Sequence, residues 1–194
     1  MKKQTNPIVY RLCALLGVCL LASAVLLPFG WQWRIQTSAQ KMEECVRTIR
    51  TLIPEPESAA PEARRDNTMA TLSLDGTDYV GILEIPRYGS ALPVCGDWGR
   101  VSAHPCLFSG SVYDSTLCIG ATTQKGQYDF YRQISAGDPV YFTDMEGNRF
   151  TYTVTDIRYE KHADQTALQR KEADLTLFLK NVYAFEYIVI FCSV

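Results

Sequence analysis

The sequence predicts a mainly β domain, a closed barrel of about seven to eight short strands with short helices, behind an N-terminal transmembrane helix. Three observations predict it. Short runs rich in β-branched and aromatic residues recur between turn signals across residues 79–193. Few segments of that region carry helical spacing. One uncharged run of 18 residues, 12–29, stands apart near the start of the chain.

Composition sets the frame. The chain has 194 residues, 47% hydrophobic and 21% charged, which suits a folded core and excludes whole-chain disorder. The net charge of -2 excludes a nucleic-acid binder driven by bulk positive charge. The average hides an asymmetry. Residues 1–34 hold four basic groups (Lys2, Lys3, Arg11 and Arg34) and no acidic one. The other 160 residues hold 15 basic and 21 acidic groups. The two parts are built for different surroundings.

Residues 12–29 read LCALLGVCLLASAVLLPF. As a helix this run can just cross a hydrocarbon core of about 30 Å. Trp31 and Trp33 follow at once, suited to a lipid–water interface. Lys2, Lys3 and Arg11 precede the span and only Arg34 follows closely. The positive-inside bias therefore puts the N-terminus in the cytoplasm and the rest outside, as a single-pass protein of the cell membrane. The rival reading is a cleaved signal peptide, with Ala22-Ser23-Ala24 as the cleavage site. The apolar run continues beyond that site, which favours an uncleaved anchor.

Residues 1–34 thus form a cytoplasmic tip and anchor, and residues 35–67 a stalk. In the stalk, residues 35–53 read as a short helix, with Met42, Val46, Ile49 and Ile53 at helical spacing. The segment PEPESAAPEARRDN, 54–67, has three prolines and no large apolar residue, so it reads as an extended linker. Residues 68–194 are then the β domain, long enough for a single core.

Within it, residues 79–85 (YVGILEI) read as a strand ended by Pro86. Residues 91–94 and 116–120 (TLCIG) are further short strands. Residues 128–134 suggest one or two helical turns, and 164–171 a short helix. Residues 139–143 and 149–157 flank Met145-Glu146-Gly147-Asn148 as a hairpin, with Phe150, Tyr152 and Val154 on one face. Residues 174–179 and 185–193 are the last two strands, the final one nearly all apolar and so buried.

The chain has seven cysteines and two histidines. None of the cysteines forms a CxxC, so a structural zinc site is not expected, nor is any cofactor. Cys118 and Cys192 lie in strand-like runs and read as buried thiols. Disulfide pairing cannot be read from the spacing.

The order of these elements resembles the sortases, membrane-anchored cysteine transpeptidases of Gram-positive bacteria. GILEIP (81–86) followed by Leu92-Pro93-Val94 resembles the opening strand pair of that family. CLFSGS (106–111) resembles the segment before the catalytic-histidine strand. GDPVYFTD (137–144) with Gly147 resembles its GD-V-F hairpin, and DLTLF (174–178) the start of the strand that carries the nucleophile. The resemblance spans residues 79–194 and includes the N-terminal anchor.

The family's chemistry uses a Cys thiolate to attack a peptide carbonyl, a His to protonate the leaving amine, and an Arg to steady the oxyanion. By this resemblance the His position holds Ala121, the Cys position Lys180 and the Arg position Tyr187, with Glu186 as the alternative register. Ala121 cannot move a proton, attack by a lysine amine would end in a stable amide, and Tyr187 carries no positive charge. The expectation is a pseudo-sortase, a membrane-anchored extracytoplasmic module without the family reaction. Ala121, Thr122, Leu179, Lys180, Tyr183 and Tyr187 are the candidate lining of its groove. A sorting-signal peptide, a surface protein or an active sortase are the partners the resemblance implies. The alternative is an active sortase-type transpeptidase or hydrolase with relocated residues, drawn from Cys118, Cys192, His104 and His162. At strand period 2, Cys118 should face away from Ala121.

Overall fold

The computed structural model describes residues 7–55, 57–58, 67–123, 129–161, 173–181 and 186–194. The chain divides into two compact units, Met1–Ser38 and Ala39–Val194.

Helix α1 runs Pro7–Leu52 and includes the whole uncharged run of the first unit. Leu15, Leu16, Val18, Leu20 and Leu21 project from it, each more than half exposed. Among the described residues, no helix is long and apolar enough to cross a membrane. The flanking tryptophans Trp31 and Trp33 have no described side chains.

The second unit is a β-barrel. Its strands are β1 (Glu57–Ser58), β2 (Leu72–Leu74), β3 (Thr77–Ile85), β4 (Ser90–Cys95), β5 (Cys106–Ser109), β6 (Leu117–Thr122), β7 (Pro139–Asp144), β8 (Asn148–Glu160), β9 (Leu175–Asn181) and β10 (Glu186–Ser193). The pairing runs β8-β10-β9-β6-β5-β4-β3, and β7 pairs with both β3 and β8. That double pairing closes a barrel of eight strands, within the predicted range. Strands β1 and β2 lie outside the ring, on β8 and β3. Strand β8 turns a corner: Arg149–Thr153 pairs with β7 and Thr153–Glu160 with β10. The expected helical turns near residue 130 are a short 3₁₀ turn, Asp129–Arg132. The expected helix at 164–171 lies outside the described residues.

Alternation fills the barrel. Phe150, Tyr152 and Val154 share the inner face of β8, as the sequence pattern requires, and each is about 1% exposed. They meet Leu117, Ile119 and Ala121 of β6, Leu175, Leu177 and Leu179 of β9, and Ile188, Ile190 and Cys192 of β10 in one core. The β7–β8 hairpin turns as expected at Met145–Asn148. Gly147 takes φ 84°, a left-handed conformation that costs glycine little. The wholly buried Asp144 carboxylate holds the turn. It accepts from the Glu146 and Asn148 N–H groups at 2.9 Å each, from Asn148 Nδ2 at 2.9 Å and from the Tyr113 hydroxyl at 2.5 Å.

The stalk differs from its expected role as a separate element. Met42 reaches the barrel core. Val46, Ile49 and Ile53 pack on Tyr79 and Ile82 of β3 and on Met145. The helical spacing seen in the sequence is therefore the contact stripe of α1 on the outside of β3. Arg50 adds an ion pair to Glu84 at 2.6 Å. The start of the linker is also ordered: Glu57 and Ser58 pair in parallel with Asn148 and Arg149. Backbone pairing needs no apolar side chain, which is why composition alone missed it.

Candidate functional site

The site lies where three strands meet. Strand β9 is apolar enough to be central, and it is flanked by β6 in parallel and β10 in antiparallel register. Register fixes two rows across these strands. Ala121, Leu179 and Ile188 form one row, and Thr122, Lys180 and Tyr187 the next. Side chains alternate along a strand, so the two rows face opposite sides of the sheet.

The burial follows this alternation. Ala121, Leu179 and Ile188 are core residues, at most 2% exposed. Lys180 is exposed, Tyr187 half-buried and Thr122 largely covered. Ala121 and Leu179 therefore do not line an open groove: β-sheet alternation turns them into the barrel. Of the residues assigned to the groove, Thr122, Lys180 and Tyr187 share the outer face. Tyr183 lies outside the described residues, as does His162. Glu186, the alternative register for the Arg position, faces Asn181 and accepts from its Nδ2 at 3.5 Å.

The outer face beside this row is apolar. Gly120, Phe178 and Val189 form the next row, then Cys118, Thr176 and Phe191. Cys118, Phe178, Val189 and Phe191 pack together, with Phe108 and Tyr187 against them. Cys118 therefore faces away from Ala121, as strand period predicts. Trp98 completes this surface. Its ring lies 4.9 Å from Phe108 and 5.6 Å from Phe178, and Phe108 lies 5.2 Å from Phe178. Gly120 lies under it: a Cβ there would come within 2.6 Å of the Trp98 ring and 2.5 Å of Phe178. The sequence offered no signal for Trp98, because it sits in an irregular turn after β4 and reaches β6 only through the fold. Its turn is capped by Asp97, whose carboxylate accepts from the Gly99 N–H at 2.9 Å.

Among the described residues, the Lys180 cation and the thiols stand in surroundings unlike those of an acyl-transfer site. Lys180 stands in solvent, not in the apolar pocket that activates an amine nucleophile. Burial pushes the Cys118 thiol up to about 12, only partly offset by a hydrogen bond with Ser109. Burial alone pushes Cys192 up to about 12. His104 is shifted down by burial and by Arg100, and its ring packs edge-on against Tyr79 at 5.9 Å. A working Cys–His pair needs the opposite shifts, a thiol lowered and an imidazole raised. No group of three His, Cys, Asp or Glu side chains among the described residues could hold a metal ion.

An eight-stranded barrel closed by β7, with β6 and β9 parallel at its centre, has the sortase fold. Sortase A from Corynebacterium diphtheriae is similar over 81% of this chain and 82% of its own, with TM-score 0.51 and 13% identity. Sortase C1 from Streptococcus agalactiae is similar over 63% of this chain and 72% of its own, with TM-score 0.51 and 19% identity. A Clostridium perfringens sortase D5 transpeptidase is similar over 65% and 81%, with TM-score 0.50 and 12% identity. No protein-family model matches the sequence, and no curated protein does.

Proposed function

We propose that this chain is a pseudo-sortase: a membrane-anchored, extracytoplasmic sortase-like module that binds an extended peptide or surface-protein segment without cleaving it. The observation that carries this reading is the outer row Thr122–Lys180–Tyr187, which offers neither thiol, imidazole nor guanidinium. The acyl-enzyme route needs all three roles filled. What the face does offer, among the described residues, is two exposed cations, Lys180 and Arg158, beside aromatic and aliphatic side chains, Phe178, Val189 and Phe191; Arg158 is paired opposite Val189, with its guanidinium 5.8 Å from the Phe191 ring centre. That combination suits an extended segment with apolar side chains and a carboxylate. Sorting-signal peptides, surface proteins and active sortases are the partners to try. The proposed membrane anchor, residues 12–29, rests on the sequence alone: an uncharged run of 18 residues with Lys2, Lys3 and Arg11 before it, the pattern of an N-terminus held inside.

The test uses the full chain in detergent. Labelled sorting-signal peptides should bind without forming a cleaved or transferred product. Lys180→Glu should weaken binding of peptides that carry a carboxylate. The alternative, an enzyme with relocated residues, would reveal itself by turnover together with rapid labelling of one domain cysteine at neutral pH. Protease protection of the intact membrane should shield only the N-terminal tip, and shielding of the barrel would overturn the orientation.

A further inference from the structure

We infer that Cys95 and Cys106 are a disulfide-forming pair that closes the turn bearing Trp98. The two residues are directly paired in the one bridge that joins β4 to β5. The Cys95 N–H donates to the Pro105 carbonyl at 2.8 Å, which fixes Cys106 beside it. Neighbouring strands lie about 4.8 Å apart, inside the Cα separation that a disulfide spans. Partners across a bridge project to the same side of a sheet, and the Cys106 thiol is pushed up to about 12 by burial and by the neighbouring Cys95. Both residues are fully buried, with no other cysteine paired against either. The sulfurs also touch the ends of the intervening turn: Cys95 Sγ accepts from the Asp97 N–H at 3.3 Å, and Cys106 Sγ donates to the His104 carbonyl at 3.3 Å.

Access comes through that turn. Residues 96–103 are exposed apart from the partly covered Val101. They are joined to the barrel through the Gly96 N–H bond to the Asp78 carbonyl at 2.8 Å, through Trp98, and through the Arg100 Nη2 bond to the Gly76 carbonyl at 3.2 Å. Local opening of such a turn uncovers the thiols without unfolding the barrel. The chemistry is thiol–disulfide exchange with an external disulfide such as oxidised glutathione. One thiolate attacks a glutathione sulfur, and one glutathione leaves as the thiol. The second cysteine then attacks the mixed disulfide and releases the other glutathione. Two thiols are oxidised, one disulfide is reduced, and two protons pass to the departing thiolates. The ring so formed spans residues 95–106 and fixes Trp98 over Gly120 and Phe178.

The experiment exposes the full chain in detergent to oxidised glutathione, blocks free thiols with maleimide, and maps peptides without reduction. The expected product is a single peptide pair joining Cys95 to Cys106, two hydrogens lighter than the free pair. Cys118 and Cys192 should remain thiols. A tryptic nick at Arg100 gives a second readout. On a denaturing gel the fragments should stay joined without reductant and part with it, and in Cys95→Ser they should part in both. Recovery of both cysteines as free thiols, as separate glutathione adducts, as linkages to Cys45, or as a zinc complex would each overturn the pair.

Discussion

Lys180 of β9 stands directly opposite Tyr187 of β10, while Ala121 of β6 is held one residue out of that row, opposite Leu179. One residue along a strand reverses the side on which a side chain emerges. Lys180 and Tyr187 therefore belong to the outer face and Ala121 to the core, although all three lie on adjoining strands.

This arrangement separates three substitutions that the family pattern would treat alike. Lys180→Cys should leave unfolding free energy within about 0.5 kcal/mol of the parent, as exposed surface changes do, and Tyr187→Arg should cost no more than about 1 kcal/mol, for the ring packing it loses on the outer cluster. Ala121→His should cost about 1–3 kcal/mol, because it forces a larger polar ring into a packed interior. Denaturant unfolding of the full chain in detergent measures all three. A well-tolerated histidine at 121 would show that this position opens to the outer face after all.

The buried thiols make a second prediction. Burial holds Cys118 and Cys192 at about 12, so each is almost wholly protonated at pH 7.5. Both should resist alkylation in the folded chain and react promptly in denaturant. Mass mapping after brief labelling checks it. Fast native labelling of either residue would restore the case for relocated thiol chemistry.

The barrel was legible because its signals are local. Period-2 alternation marked Phe150, Tyr152 and Val154, the Met145–Asn148 turn marked the hairpin, and the apolar run at 185–193 marked a buried strand. The missing elements lacked such signals. Strand β2 is three residues long, and β1 is two residues of linker held by backbone bonds to β8. The candidate positions were legible as positions but not as faces. Which side Ala121 takes depends on the register between β6 and β9, a long-range relation that no local pattern records. Trp98 was illegible for the same reason.

The α1 stripe gives a third prediction. Ile49 is fully buried against Val46, Ile53, Tyr79, Ile82 and Met145. Ile49→Ala should destabilise the second unit by about 2–5 kcal/mol, the range for truncating a core isoleucine. Arg50→Ala should cost at most about 1 kcal/mol, since its pair with Glu84 is half exposed. Chemical unfolding followed by tyrosine signals compares the two. Equal effects would mean that α1 is held to β3 by charge and not by its apolar stripe.

Asp138 supplies a pH dependence. Burial would raise its carboxyl, but hydrogen bonds from Arg87 at 2.5 Å, the Ser135 N–H at 2.9 Å and Tyr88 at 3.0 Å outweigh that and hold it below its ordinary value. A carboxyl lowered by folding stabilises above its unfolded value, near 3.8, and loses that contribution as pH falls through the lower folded value. Asp138→Asn should therefore be less stable than the parent at pH 7, and the gap should narrow below pH 4 as the parent's carboxyl takes up its proton. Unfolding curves at several pH values test the sign. A gap that is constant with pH would assign the loss to shape and not to charge.

The last prediction concerns Gly120 and the ring above it. A methyl group at 120 would meet Trp98 at 2.6 Å and Phe178 at 2.5 Å, closer than packed carbons come. Strand β6 cannot recede, because Ile119 and Ala121 fix its inner side in the core. The rings must move instead, and Gly120→Ala should cost about 1–3 kcal/mol through that overpacking. Trp98→Ala alone should also destabilise, since it strips the contacts with Phe108 and Phe178. The double variant separates strain from loss. With the indole gone, the added methyl has room on one side, so the two changes together should cost less than their sum by about 1 kcal/mol. Strict additivity would mean that Trp98 does not rest on Gly120 in solution, and that the outer face of β6 and β9 lies open.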